Sequence, residues 1–461
     1  MVTKNPSTKS PTKTEYEGRM LRKDVPRSSH GVWEPPADRP DPVESVTSQN
    51  ESRLQFLVPI RHQRMSESPF AFYRGAAKVM AADLASTPSA GLNVQICGDA
   101  HLSNFGVYGS PERQLVFDVN DFDETLPGPW EWDLKRLAAS FAIAARHNAY
   151  TGDAEHDLPM RAASEYRRAM RNFAHARYTD VWYAHLDLED IYEAFSDQLS
   201  KKDRRRGHKF VVKARSKNSL HALSKLAEQT EDGYRIAAQP PLIIPLRDIP
   251  HDENPDELEA RLREEFAAYL DSVPDHIAVL LRRYTYCDMA IKVVGVGSVG
   301  TRCWVILLRG HDEGDPFFLQ VKEAGRSVLE DHLPDSVYAE HGQRVVQGQR
   351  LMQATSDSFL GWHEGKTGSY YWRQFKDMKG SAEIEGAPLR SLRRYAHLCG
   401  WTLARAHARS GDPAPIAGYL GKGDRFDCAI ADFAVAYADQ NDRDFQEFRS
   451  AVDSGAIPAH D

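Results

Sequence analysis

Residues 98–104 read Gly98-Asp99-Ala100-His101-Leu102-Ser103-Asn104. The run before them, NVQIC at 93–97, alternates and stops at Gly-Asp, as a strand does when it feeds a loop. An Asp followed five residues later by an Asn on such a loop has two uses in phosphoryl transfer. Asp99 can accept or orient the proton of an attacking hydroxyl, and Asn104 can offer an oxygen to magnesium. The plainer reading is a polar turn, in which Asp and Asn hydrogen-bond the backbone. His101 fits a support for the loop better than a metal ligand, because no other His or Cys stands at ligand spacing.

Seventeen residues after Asn104 the chain reaches Asp121-Phe122-Asp123-Glu124, at the end of the β-type run QLVFDVN. With Asp118, four acids fall in seven residues with no base among them. Such a cluster is costly unless it is solvated or bound to a cation. Asp121, with Asp123 beside it, is therefore the candidate magnesium carboxylate. Asp118 competes for that role, and the spacing to the downstream stretch GPWEWDL favours Asp121; a solvated acidic turn is the alternative. Asp133, in GPWEWDL at 128–134, heads a helix and either caps it or hydrogen-bonds the backbone of the 98–104 loop. Trp130 and Trp132 read as core packing.

Gly295-Val296-Gly297-Ser298-Val299-Gly300 lies between two β-type runs, and Lys322 comes later in LQVKEA. Glycines let a backbone approach phosphates, and a lysine neutralises their oxygens. Gly295, Gly297, Ser298, Gly300 and Lys322 are thus the candidate nucleotide-binding residues. The glycines do not open a helix, which argues against a dinucleotide fold. Glu340, eighteen residues after Lys322 on a helical stretch, is the acid assigned to pair with it, with Glu323 and Glu330 as alternatives. Arg61, Arg64 and Arg74 flank SPFAFYRG and suit either phosphate contacts or helix-surface ion pairs.

The 461 residues permit two or three domains and a large core. A net charge of −8 gives no global case for nucleic acid or an anionic membrane, and the basic run KKDRRRGHK at 201–209 reads as a solvated loop. No run approaches the ~18 apolar residues of a membrane span. The five cysteines are scattered without a CxxC pair, and the N-terminus is polar from the first residue, so the expected location is the cytoplasm.

Residues 1–50 are predicted as an N-terminal arm, disordered over 1–20 and extended over 21–50. Helices are expected at 68–86 and 130–147, and through most of 155–235. A proline-rich stretch at 239–255 reads as a boundary, followed by a helical 256–283. The runs 288–310, 317–324 and YYWRQF at 370–375 are β-type, and 336–353 and 388–410 are helical. These spans divide the chain into a large helical lobe at 51–275, a small β-rich lobe at 276–380, and C-terminal helices at 381–461.

The site residues resemble the aminoglycoside phosphotransferase and choline kinase branch of the protein-kinase-like superfamily. Gly98, Asp99 and Asn104 match that branch's His-Gly-Asp-x-x-x-x-Asn loop, with Cys97 in place of its histidine. Asp121 matches the head of its metal motif, and Asp133-Leu134 its downstream Asp-Leu. The order differs, because the glycine loop and Lys322 come after the catalytic loop here. The resemblance therefore implies a circularly permuted, two-lobed α/β (α+β) kinase-like fold. It implies ATP and Mg2+ bound between the lobes, and phosphoryl transfer to a hydroxyl of an unknown small molecule or protein. A nucleotide-binding regulatory protein and an ATP-dependent nucleotidyltransferase are the alternatives. From about residue 25 to 450 the chain also resembles a bacterial family of unknown function. The hallmarks are LVPIRHQRMSESPFAFYRGAA, GDAHLSNFG, NDFDETLPGPWEWDLKRLAAS and GQRLMQATSDSFLGW.

Overall fold

The computed structural model describes residues 13–195, 201–231, 233–249, 255–375 and 378–460. They form a mixed α+β fold, 53% helical with several antiparallel sheets. The first helices are α1 (Lys13–Met20), α2 (Pro42–Ser48), α3 (Val58–Ser66), α4 (Pro69–Gly75) and α5 (Ala77–Ala85). Strands β1 (Asn93–Ile96), β2 (Phe105–Gly109), β3 (Leu115–Val119) and β4 (Leu126–Pro129) lead into α6 (Trp130–His147) and α7 (Ala154–Phe173). Next come α8 (Tyr178–Tyr183), β5 (Leu186–Asp187), α9 (Leu188–Phe195), α10 (Lys201–Arg215) and α11 (Ser219–Leu226). The hairpin β6 (Ala227–Thr230) and β7 (Gly233–Ile236) is next, then β8 (Ile243–Pro245), α12 (Pro255–Ser272) and α13 (Asp275–Leu281). The β-rich part is β9 (Thr285–Lys292), β10 (Cys303–Arg309), β11 (Pro316–Ala324), α14 (His341–Met352), β12 (Gly361–Gly365) and β13 (Gly368–Gln374). A short β14 (Gly380–Ser381) precedes α15 (Leu389–Ser410), α16 (Pro413–Leu420) and α17 (Arg425–Asp453).

One sheet has the order β12-β13-β11-β10-β9-β8, all antiparallel. Strand periodicity gives it two different faces. Leu319, Val321 and Trp372 pack against α12 and α13, where Tyr269 stacks on Trp372 at 4.3 Å. The opposite face carries Val305, Leu307 and Phe318, which α11 and Ile236 cover with Leu223 and Leu226. Further along that second face stand Gln320, Lys322, Tyr371 and Arg373, aligned by the pairings Lys322↔Tyr371 and Gln320↔Arg373. The main core lies elsewhere, among α6, α7, α15 and α17, with Leu137, Phe141, Leu158, Leu403 and Phe433 inside it.

Three expectations need correction. Residues 13–50 are not a disordered or extended arm, and residues 1–12 of that prediction lie outside the described residues. Helix α1 packs on α16, with Gly18 against the Pro415 backbone. His30 is buried, its Nε2 2.7 Å from the Tyr419 hydroxyl, and Trp33 packs edge-on to Phe433. The polar residues of this segment serve as partners: Asp41 caps α2, and Arg39 bridges Asp83 at 2.7 Å and Asp444 at 2.6 Å. Next, the helix expected at 68–86 is two helices. Arg61 Nη2 donates to the Gly75 carbonyl at 3.3 Å, and Ala76 leaves the helical region at φ −108° and ψ 36°. Finally, the proline-rich stretch is no boundary, since it supplies β8, an edge strand on β9, and the small sheet thus begins upstream of residue 276.

Candidate functional site

The ladder of β1 with β4 sets Ile96 opposite Leu126, so the loops at 97–104 and 120–125 run side by side. The Thr125 hydroxyl donates to the Ile96 carbonyl at 2.6 Å. Gly98 sits at φ +79°, and a Cβ there would come within 2.6 Å of the Glu124 carbonyl, so the approach of the two loops requires glycine. Asp133 does not cap its helix. Its two oxygens accept the backbone N–H groups of Cys97 at 2.8 Å and Gly98 at 2.9 Å, and His407 Nε2 stands 3.2 Å from it.

Asp99 is gripped by an arginine that the sequence did not single out. Arg136 brings Nε to 2.7 Å and Nη2 to 2.6 Å of Asp99 Oδ1, with its guanidinium 4.2 Å over the Tyr73 ring. Burial opposes the charge on Asp99, yet Arg136, helped by Arg74, holds the carboxyl below the usual carboxylate range. Asn104 donates its amide to the Asp99 carbonyl at 2.8 Å, which points its side-chain oxygen elsewhere. His101 is buried, and burial pushes its imidazole down to about 3, so it stays neutral. That places it as a support of the loop, 3.7 Å from Asp99 Oδ2.

Lys322 reaches this region from β11. Its Nζ lies 2.6 Å from Asp123 Oδ2 and 4.0 Å from Asp121 Oδ1. The Tyr371 hydroxyl donates to the other oxygen of Asp123 at 2.6 Å. Burial works against all three charges. Lys322 nonetheless holds Asp123 below the carboxylate range, while burial and Asp123 push Asp121 up. Arg344, from α14, donates to the carbonyls of Thr125 and Asp123 at 2.8 Å each and so clamps the acidic loop. Asp118 is buried against Arg405 and accepts the N–H groups of Val119 at 2.8 Å and Ala354 at 3.0 Å, a structural position.

The assignment of Glu340 to Lys322 is corrected. Glu340 stands at the N-cap of α14, Glu323 pairs with Arg302 at 2.9 Å, and Glu330 accepts the Ser327 and Ser336 N–H groups at 2.8 Å each. The acid that meets Lys322 comes instead from 199 residues upstream. The two oxygens of Asp123 are engaged by Lys322 and by the Tyr371 hydroxyl.

The glycine loop is seated on α3 and α4. Arg64 Nη1 donates to the Gly295 carbonyl and Arg53 Nη1 to the Val299 carbonyl, each at 2.6 Å, and the Leu54 N–H donates to the Gly300 carbonyl at 2.8 Å. Gly295 and Gly300 have φ of +68° and +92°. Thr301 donates its hydroxyl to the Ser298 carbonyl at 2.9 Å. A Cβ at Gly297 would stand 3.1 Å from the carbonyl of Arg74, whose guanidinium in turn acts on Asp99. Of the other flanking arginines, Arg61 is buried and binds the carbonyls of Val46 and Gly75. The basic run at 201–209 lies on the exposed part of α10, with Phe210 packing against Gly380.

Among the described residues no group of three His, Cys, Asp or Glu side chains is arranged to hold a metal. Magnesium asks for less when it comes with a polyphosphate, commonly one or two protein oxygens with the rest from phosphate and water. Asn104 and Asp121 are the residues that could supply those oxygens.

A family model matches residues 53–451. The chain belongs to the family described as uncharacterized protein conserved in bacteria (DUF2252). No curated protein and no solved structure matches the chain. The matched span holds every residue of the site in this DUF2252 chain, from the arginines of α3 to the end of α15. Among the described residues, no helix is long and apolar enough to cross a membrane.

Proposed function

We propose that this chain is an ATP- and magnesium-dependent phosphotransferase, similar to the aminoglycoside phosphotransferase and choline kinase branch, with its two lobes in permuted order. The observation that carries the reading is the meeting of Lys322 with Asp121 and Asp123, beside the loop of Asp99 and Asn104. A lysine and acids from distant parts of the chain then face one polyphosphate. Two features of topology support it. Strands β9, β10 and β11, followed by α14 and then β12 and β13, have the element order expected of a small kinase lobe. In addition, α15 ends beside β1, where Ser410 Oγ accepts the Gln95 N–H at 3.2 Å, four residues before Asp99. An unpermuted chain would pass from that helix into that strand.

In this reading Lys322 neutralises phosphate oxygens, and Gly295–Gly300 hold the phosphates from above. Asn104 and Asp121 would hold Mg2+, which neutralises charge on the phosphates when bound. Asp99, kept ionised by Arg136, orients the acceptor hydroxyl and attracts its proton late. A weak base suffices where the transition state is loose and positioning dominates.

The test is calorimetric titration of the full chain with MgATP, together with mass spectrometry of lysate metabolites incubated with enzyme and ATP. Lys322→Met should remove MgATP binding. Asp99→Asn should keep it and lower phosphate transfer roughly 10²–10⁴-fold. Products carrying AMP would replace phosphoryl transfer with nucleotidyl transfer, and absence of MgATP binding at millimolar nucleotide would end both.

A further inference from the structure

A cavity of about 550 Å3 opens next to the acidic loop, with Asn120, Gln320, Arg373 and Lys379 in its lining. That size suits an organic small molecule. Arg373 is held by its Nε–H, which donates to Gln320 Oε1 at 2.8 Å and fixes the guanidinium plane, and Asp121 and Asp123 favour its charge from nearby. Lys379 is pinned through its backbone, since Lys217 Nζ donates to its carbonyl at 2.7 Å. Its ammonium makes no hydrogen bond or ion pair among the described residues. The carboxylate in the lining, Asp357, accepts the N–H groups of Phe359 at 2.8 Å and Gln374 at 2.6 Å, so both oxygens are engaged by the backbone.

The electrostatics agree with this geometry. Burial lowers the Lys379 ammonium to about 7, and Arg373, Lys322 and Lys217 push the same way, with Asp121 opposing. A partly buried cation in such company is costly until an anion arrives. Two cations and neighbouring side-chain amides offer an oxyanion several charge-assisted hydrogen bonds. The remaining lining includes Phe375, which belongs to the apolar cluster on the same face of the sheet as Gln320 and Arg373 and gives the rest of the ligand an apolar surface.

We propose that this cavity binds an organic anion, with its phosphate or carboxylate group on Arg373 and Lys379 and its carbon skeleton against the apolar lining. The site adjoins the proposed nucleotide position and does not require that phosphoryl transfer occur.

Titration of the full chain with phenyl phosphate, benzoate, inorganic phosphate and benzyl alcohol tests it. Phenyl phosphate or benzoate should bind and raise the melting temperature, and which of them binds more tightly identifies the anionic group. Inorganic phosphate should bind at least tenfold more weakly, and benzyl alcohol should give no response. Lys379→Gln should weaken the organic anion at least tenfold, whereas Lys379→Arg should retain it. Equal affinity in Lys379→Gln, equal affinity for inorganic phosphate, or no binding of either organic anion would overturn the proposal. Lys322→Met separates the two readings. Loss of MgATP binding with the organic anion still bound supports both sites. An organic anion bound to a protein that never binds MgATP leaves this site standing and ends the phosphotransferase reading.

Discussion

Glu124 closes the acidic run, and its carboxylate accepts the Val328 N–H at 2.8 Å. Burial is the largest influence on it and pushes the carboxyl up to about 6, against an ordinary value of 4.5, although Arg344 pulls the other way. A raised carboxyl means that the folded state binds the proton more tightly than the unfolded state. The cost of ionising Glu124 is therefore absent below pH 4.5, grows between 4.5 and 6, and is complete above 6. Glu124→Gln should leave the melting temperature unchanged at pH 4 and raise it by roughly 1–3 °C at pH 7.5. Calorimetry across that range checks it, and a gain confined to acid pH would refute the assignment. Asp99, Asn104, Asp121 and Lys322 stood out in the sequence by residue type and spacing, and the structure brings Lys322 to Asp121 and Asp123. The partner of Lys322 did not stand out, because a pairing across 199 residues leaves no local trace, whereas Glu340 presented a plausible one. Arg136 was hidden for another reason. Its neighbour Lys135 and the surrounding charges make WEWDLKRL look solvated on one side, yet both basic residues are buried.

Helix pairs carry the large core, and α7 against α15 is the most intimate of them. Gly400, in the middle of α15, lies so close to α7 that a Cβ would collide with the Ala162 carbonyl. Both partners are backbone of regular helices, so relief requires the helices to part. Gly400→Ala should therefore destabilise the protein by about 1–3 kcal/mol despite its better helix propensity. Denaturant unfolding measures this, and a neutral result would show that the helices separate freely. Helices α6 and α15 were readable because their apolar residues recur at helical spacing over five turns or more. The break at Ala76 was not readable, since the cause is tertiary: Gly75 packs on Met65, and Arg61 takes its carbonyl. Strand β8 escaped notice because two isoleucines between prolines satisfy a strand only once β9 offers its edge.

Across the whole molecule, the N-terminal segment completes the core. Trp33 packs on Phe433 and Tyr437, and Arg39 neutralises two buried acids, Asp83 and Asp444, that come from distant helices. A chain beginning at Arg53, where the family match begins, would leave both acids without their cation and uncover the aromatic surface of α16 and α17. Such a truncation should melt at least 10 °C lower and bind a hydrophobic dye at room temperature, as followed by circular dichroism and fluorescence. Unchanged melting would mean that the segment is dispensable. Composition alone misjudged this segment, since counting apolar residues ignores the ion pairs and caps that fix a polar stretch in place. The strands β9 to β11 were readable from the change in periodicity near residue 285, but not the pairing of β8 with β9 or of β14 with β2.

The pairing of Lys322 with Asp123 also has a consequence in time. A ribosome adds roughly 5–20 residues each second, so the acidic loop waits about 10–40 s for a lysine made 199 residues later. During synthesis the nascent chain thus carries the acids with no cation opposite them. The pair cannot form until residue 322 has been made and has left the ribosome.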